Sequence, residues 1–352
     1  MNAKELKDEK ELETDVGVSD LSSYMEEVIK ELQADKKYPA VHTYLSTLHS
    51  FVSFYMSLSD SREPSLSSGT PLSSSTLLPL SEVFTPGRLK EYENWLMGQE
   101  LGLNSISTYM RTLRAVYNRW CPPGSPKHLP KLFDDVYTKV TSQTKRALTE
   151  QQLALLIQTD LHLLPKEQRR ALAYFLLMFF LRGMPFIDLA HLRKKDLQDN
   201  KIIYCRHKTG KQITVRIPSE ALPLISAYRD RNSDSIYLFP ILDSRLANSL
   251  DLYKCYLDAL RRFNKSLHSA VQALLPGVKA SSYTARHSWA TVAYHKGMPL
   301  GIISQSLGHS SIRVTETYLK PFENEQVDKE NRKLISFVKK RKWIDCEKYN
   351  ML

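Results

Sequence analysis

Residues 283–318 read YTARHSWATVAYHKGMPLGIISQSLGHSSIRVTETY. The stretch holds Arg286, then Leu307-Gly308-His309, then Tyr318 nine residues past that histidine. Its pattern predicts helices over Ser281–Lys296, Pro299–Leu307 and Ser311–Leu319. Upstream, Lys201–Arg206 (KIIYCR) and Lys211–Ile217 (KQITVRI) are β-rich runs separated by His207-Lys208-Thr209-Gly210, which reads as a hairpin with glycine in its turn. The run Ala171–Leu181 (ALAYFLLMFFL) is too short to span a bilayer and reads as a buried helix. A further helical pattern covers Leu250–Leu275, and Thr149-Glu150 supplies an N-cap for the start of this region.

The N-terminal half is helical throughout. Apolar residues recur at spacings of three and four from Leu21 to about Ser57, after Thr85-Pro86, and from Asn104-Ser105 to Trp120. The last of these segments places Arg111, Arg114 and Arg119 on its outer face. Residues 57–81 are rich in Ser, Pro and Thr and read as a solvated loop. The expected organisation is a flexible start (1–20), a helical domain (21–140), a linker (141–149), a mostly helical domain with a small hairpin or three-stranded sheet (150–320), and a tail (321–352) ending near a basic cluster at Lys339–Lys342.

The 352 residues carry a net charge of +11, which favours a polyanionic partner. The four cysteines, Cys121, Cys205, Cys255 and Cys346, are scattered, without a CxxC pair or zinc spacing, so no metal or cofactor is expected. The charged N-terminus has no apolar signal core, and the reading is a cytoplasmic protein with no membrane partner.

Arg, His and Tyr together suit phosphoryl transfer. Arginine holds a phosphate through two parallel hydrogen bonds and keeps its charge, histidine donates to an equatorial oxygen, and a tyrosine can attack phosphorus. A phosphotyrosine ester resembles the phosphodiester it replaces, so rejoining needs no nucleotide energy source.

The pattern R-x(20)-LGH-x(8)-Y, with RHSWAT at its head and a Lys-Thr-Gly hairpin upstream, resembles the tyrosine recombinase (phage integrase) family. The resemblance covers about residues 148–320, and the helical region before them is similar to that family's SAM-like core-binding domain. It implies a recombinase of duplex DNA, working as a homotetramer on paired sites, with the tail packing on a neighbouring protomer. It further implies that Tyr318 is the nucleophile, Arg286 a phosphate clamp, His309 a donor to the phosphate, and Lys208 the acid for the leaving 5′-oxygen, with Lys211 close enough to compete.

Two positions depart from the family's pattern. Tyr283 stands where a histidine is usual, three residues before Arg286, and a phenol can still donate to phosphate. Pro185 stands where the first arginine belongs, in Arg182-Gly183-Met184-Pro185-Phe186-Ile187-Asp188. Arg182 is the expected substitute, with Arg193 or Arg206 as alternatives, and Asp188 is expected to buttress the site. His287, turned about 100° from Arg286 on a helix, reads as a packing or backbone-bonded residue. A type IB topoisomerase-like enzyme and a DNA-binding protein without catalysis are the competing classes. Among recombinases, the Arg-Gly-Met form resembles integrases and invertases of bacterial mobile elements.

Overall fold

The structure is a computed structural model that describes residues 20–60, 78–141, 147–319, 322 and 324–349. The proposed flexible start, most of the Ser-rich loop and the middle of the proposed linker lie outside the described residues. The chain divides into two compact units, Met1–Ser142 and Gln143–Leu352.

The first unit is helical: α1 (Leu21–Ala34), α2 (Tyr38–Asp60), α3 (Leu80–Val83), α4 (Pro86–Gly98) and α5 (Leu103–Trp120). Asp20 caps α1 by accepting the Ser23 N–H at 3.0 Å. Lys36, at φ +57°, ends the first helical run and lets the chain re-enter helix at Tyr38. Thr85 caps α4 with Pro86 in the first turn, as its sequence predicts. Helix α5 starts one residue earlier than Asn104 implies. Asn104 instead uses both ends of its amide on Thr141, donating to its carbonyl and accepting its N–H, each at 2.9 Å. Phe51, Phe54 and Tyr92 fill the core at ring separations of 4.8–5.5 Å, and the Tyr92 hydroxyl finds Ser50 at 2.8 Å. The buried Glu93 is satisfied by the Tyr137 N–H and by Lys90, both at 2.6 Å.

The second unit is built around α7 (Lys166–Phe180), whose residues from Ala171 to Met178 are all buried. A helix apolar on every side needs neighbours on every side. It has α6 (Glu150–Gln158), α9 (Ala221–Tyr228), α10 (Ser249–Leu274) and α11 (Ser282–His295) in the same core. Each fully buried Leu or Phe there contributes about 1.5–3 kcal/mol relative to exposure. Thr149 and Gln152 form a reciprocal capping box at the start of α6.

The hairpin forms a three-stranded antiparallel sheet in the order β1 (Leu197–Gln198), β2 (Lys201–Cys205), β3 (Gln212–Arg216). Its register pairs Ile202 with Val215 and Tyr204 with Ile213, so these four bury one face and the alternate positions turn outward. Short helices α8 (Phe186–His191), α12 (Leu300–Leu307) and α13 (Ile312–Glu316) carry the remaining polar residues of interest. The tail is a long helix, α14 (Asn324–Tyr349), along which Val327, Leu334, Ile335, Phe337 and Val338 are exposed. Before it, Phe322 packs on Tyr294 and His295 at ring distances of 4.8 and 4.7 Å. Among the described residues no helix is long and apolar enough to cross a membrane.

Candidate active site

Arg286 sits on α11 and is 2% exposed. Burying a guanidinium costs free energy unless its donors are used. Nη1 donates to the Gly183 carbonyl at 2.9 Å, while Nη2 donates to the Leu307 carbonyl at 2.6 Å and lies 2.9 Å from His309 Nε2. Two chain reversals make this possible. At the end of α7, Arg182 and Gly183 both adopt left-handed conformations (φ +62° and +67°), which aims the Gly183 carbonyl at Arg286. A Cβ on Gly183 would meet the Arg286 Cα at 3.1 Å. At the end of α12, Gly308 (φ +67°) closes the helix, and a Cβ there would meet Ile213 Cδ1 at 2.6 Å. The Leu-Gly-His spacing is thus a helix cap that presents a carbonyl and an imidazole to the same guanidinium.

His309 follows this cap. Its Nδ1 lies 2.9 Å from the hydroxyl of Thr315, a fully buried residue of α13. Burial, aided by the cations Arg286, Arg206 and Lys208, pushes the His309 pKa down to about 4, so its imidazole is neutral near pH 7. Tyr318 comes just after α13, its N–H bonded to the Thr315 carbonyl at 2.9 Å. The phenol ring lies 4.9 Å from the His309 ring and 4.8 Å from that of His287, with the Arg286 guanidinium 5.4 Å from its centroid. His287 Nδ1 is 3.3 Å from the Tyr318 carbonyl, so this histidine packs on Tyr318 and contacts its backbone.

The expectation that Arg182 joins this cluster is not met by the geometry. Its left-handed backbone sends the side chain toward the Thr214 carbonyl, 3.5 Å away, into an open cavity of about 590 Å³ lined by Lys211, Trp289, Met298 and Ile302. Lys211, the rival of Lys208, lies in that same cavity. The second buried arginine is Arg206, which follows β2 and is 7% exposed. Arg206 Nη1 donates to the same Leu307 carbonyl that Arg286 uses. Its Nε lies 2.7 Å from Asp188 Oδ2, although the N–H does not aim at the oxygen, so the contact is an ion pair rather than a formed hydrogen bond. Asp188 Oδ1 accepts the His207 N–H at 2.9 Å, which ties α8 to the hairpin turn. Burial pushes the Asp188 pKa up, against the pull of His207, Arg206 and Arg286.

Lys208 stands exposed in the hairpin turn, close enough for its charge to act on His309. Tyr283 occupies the rim, 57% exposed, its ring 6.3 Å from His287. The signal for Arg206 in the sequence is weak, since it is one arginine among many at the end of a strand. In the structure Gly308 also packs against it: Arg206 Nη1 would lie 3.2 Å from a Cβ at that glycine. Among the described residues no cluster of His, Cys, Asp and Glu suits a metal ion. The arrangement offers two buried cations, a neutral imidazole, an exposed lysine and a phenol: groups that can bind an anion and attack it.

In the first unit, Arg111 and Arg114 line an open groove with Thr43, Tyr44, Thr108 and Asn118. Arg119, expected alongside them, is ion-paired with Glu31.

Both units are similar to known proteins. Residues 146–325 match the Phage integrase family, and residues 20–119 match the Phage integrase SAM-like domain. A tyrosine recombinase XerA of Pyrococcus furiosus is 29% identical over 238 residues, covering 64% of this chain and 72% of that protein. The XerA of Thermococcus kodakarensis is 26% identical over 227 residues, covering 61% and 70%. The fold resembles that of a lambda integrase dimer bound to a COC′ core site, with a TM-score of 0.56 at 15% identity over 87% of this chain and 80% of that one. It also resembles that of a lambda integrase tetramer bound to a Holliday junction, with a TM-score of 0.51 at 16% identity over 88% and 80%.

Proposed function

The chain belongs to the phage integrase family, and on that premise we propose that it is a site-specific recombinase that cuts and rejoins duplex DNA through Tyr318. In this reading the Tyr318 phenol passes its proton to water as its oxygen attacks the scissile phosphorus. A 3′-phosphotyrosyl ester forms, the bond to the 5′-oxygen breaks, and Lys208 gives that oxygen its proton. Arg286 and Arg206 hold the non-bridging oxygens and His309 donates to one of them. Arg206 takes the part that the sequence suggests for Arg182. Asp188 keeps Arg206 and the hairpin turn in place and takes no part in the chemistry. Reversal by an incoming 5′-hydroxyl reseals the strand with Lys208 as base.

One observation carries the proposal: the Tyr318 ring lies 5.4 Å from the guanidinium of a buried arginine and 4.9 Å from the His309 ring, all within one chain. This proximity supports a site whose nucleophile and anion-binding groups come from the same chain. Arg111 and Arg114 of the first unit supply charge for the phosphate backbone, where contacts fix register without encoding sequence. The apolar residues exposed on α14 support docking of the tail on a second protomer, in a tetramer on paired sites. Integration or inversion of a mobile segment is the task favoured by the Arg-Gly-Met sequence.

The test is to denature host cells with SDS, recover the protein with its covalently attached DNA, and sequence that DNA. A reproducible site, lost in Tyr318→Phe, is the expected result. A wild-type protein that never carries DNA through denaturation would overturn the proposal.

A further inference from the structure

His309 has a partner at each ring nitrogen. A guanidinium only donates, so Arg286 Nη2, 2.9 Å from Nε2, requires a lone pair there. The ring proton of the neutral imidazole therefore resides on Nδ1 and points at Thr315 Oγ1, 2.9 Å away. The role proposed for His309 needs the opposite arrangement at Nε2, a proton to donate to phosphate. When an anion arrives, Arg286 turns its donor toward the anion, and the ring must carry hydrogen on Nε2. It gets there either by exchanging its proton with water, leaving Nδ1 bare, or by taking one proton from water and becoming an imidazolium.

The partner of Nδ1 must suit all of these states. A backbone carbonyl or a carboxylate only accepts, and would lock the proton on Nδ1. A hydroxyl accepts from Nδ1–H and, after rotation about its C–O bond, donates to a bare Nδ1. We propose that Thr315 is a positioning residue whose hydroxyl holds His309 Nδ1 in both the free and the phosphate-bound protein, accepting from Nδ1–H while that proton is present and donating to Nδ1 where the ring's proton has moved to Nε2. This inference rests on the recombinase reading for the identity of the anion.

Three further observations agree. Thr315 is fully buried, so no water competes for its hydroxyl. Its backbone carbonyl accepts the Tyr318 N–H at 2.9 Å, so one residue sets the position of both the imidazole and the nucleophile. The charged and titratable groups facing His309 are Arg286 from α11, Arg206 and Lys208 from the hairpin, and Tyr318 after α13. Burial and the cations together hold the free ring neutral with its pKa near 4, and an anion set among those cations relieves their share of that pressure and favours proton uptake.

Thr315→Val keeps the shape and removes the hydroxyl, while Thr315→Ser keeps the hydroxyl. The full chain is labelled with ¹⁵N-histidine, and the His309 signals are assigned by their loss in His309→Gln. The free wild type is expected to show the Nδ1–H form at neutral pH, and an Nε2–H pattern would overturn the proposal. Covalent-complex formation is then followed at single turnover on the duplex recovered by trapping. The valine variant is expected to lose about tenfold or more, the loss of one buried hydrogen bond in the transition state. The serine variant is expected to stay within about threefold of wild type by the same measure. A valine variant at the wild-type rate would refute the role. If the valine variant does not fold, the serine variant decides: a folded Thr315→Ser with an altered His309 form or a rate like that of an alanine variant refutes it. If wild type itself forms no covalent complex, the recombinase reading fails, while the spectra still judge Thr315.

Discussion

Replacing Arg206 separates the geometric assignment from the one the sequence suggests. Arg206 is 7% exposed, shares the Leu307 carbonyl with Arg286, and is the cation beside a carboxylate whose side chain is fully buried. Truncating it has two costs. Removing one partner of a buried ion pair typically destabilises by about 3–5 kcal/mol. Here the loss falls at the low end, because burial already pushes the Asp188 pKa up and the stranded carboxyl can take a proton. The second cost is catalytic: removing one preorganised donor to a developing oxyanion slows the chemical step by about 10²–10³-fold, or about 2.7–4 kcal/mol. Arg206→Lys keeps charge near Asp188 but loses the planar fork, so it isolates the catalytic cost with less unfolding. The assay is single-turnover formation of the covalent complex on a nicked duplex carrying the trapped site, with duplex affinity and thermal stability measured in parallel. Arg206→Lys and Arg206→Ala are expected to lose at least about a hundredfold in rate, and Arg182→Ala, facing an open cavity, is expected to lose little. A hundredfold loss in Arg182→Ala, with Arg206→Lys near wild type, would refute the assignment and restore Arg182.

Three other outcomes follow from the geometry. Gly308→Ala places a Cβ 2.6 Å from Ile213 Cδ1 at φ +67°, and is expected to destabilise by about 1–3 kcal/mol, read as a lower melting temperature with impaired cleavage. His309 has its folded pKa lowered from 6.5 to about 4, so the unfolded chain binds the extra proton between those values; stability is expected to fall as pH drops from about 6.5 to about 4, and His309→Gln should flatten that part of a denaturation profile. Leu334→Lys with Phe337→Glu on the exposed face of α14 is expected to abolish higher assembly on paired sites in analytical ultracentrifugation, while one protomer still forms its covalent complex on a single site.

Much of the fold is legible in the sequence because its signals are local. Thr149 with Gln152 and Thr85 with Pro86 write helix starts into neighbouring residues, and the alternation in KIIYCR and KQITVRI is set by the two-residue period of a strand. The spacing from Arg286 through Leu-Gly-His to Tyr318 is likewise visible, because the αL cap at Gly308 and the short helix after it turn a linear interval into a fixed distance. Lys36 and Asn104 show where local reading stops short. One takes a left-handed conformation inside a continuous apolar pattern, and the other lies within the first turn of its helix and bonds a residue 37 positions away.

The sequence by itself determined the helical architecture, the hairpin, and the set Arg286, His309, Lys208 and Tyr318 as the groups to examine. It could not determine which other arginine joins Arg286. In sequence Arg182 lies three residues from the vacant position at Pro185, and Arg206 lies twenty-one residues away. The tertiary structure reverses that order. A left-handed turn at Arg182 and Gly183 sends one side chain into an outer cavity, while strand pairing and the buried carboxylate of Asp188 carry the other to the Leu307 carbonyl beside Arg286. Proximity along the chain says little about direction, and a buried charge settles where a counter-charge and a carbonyl together meet its desolvation cost.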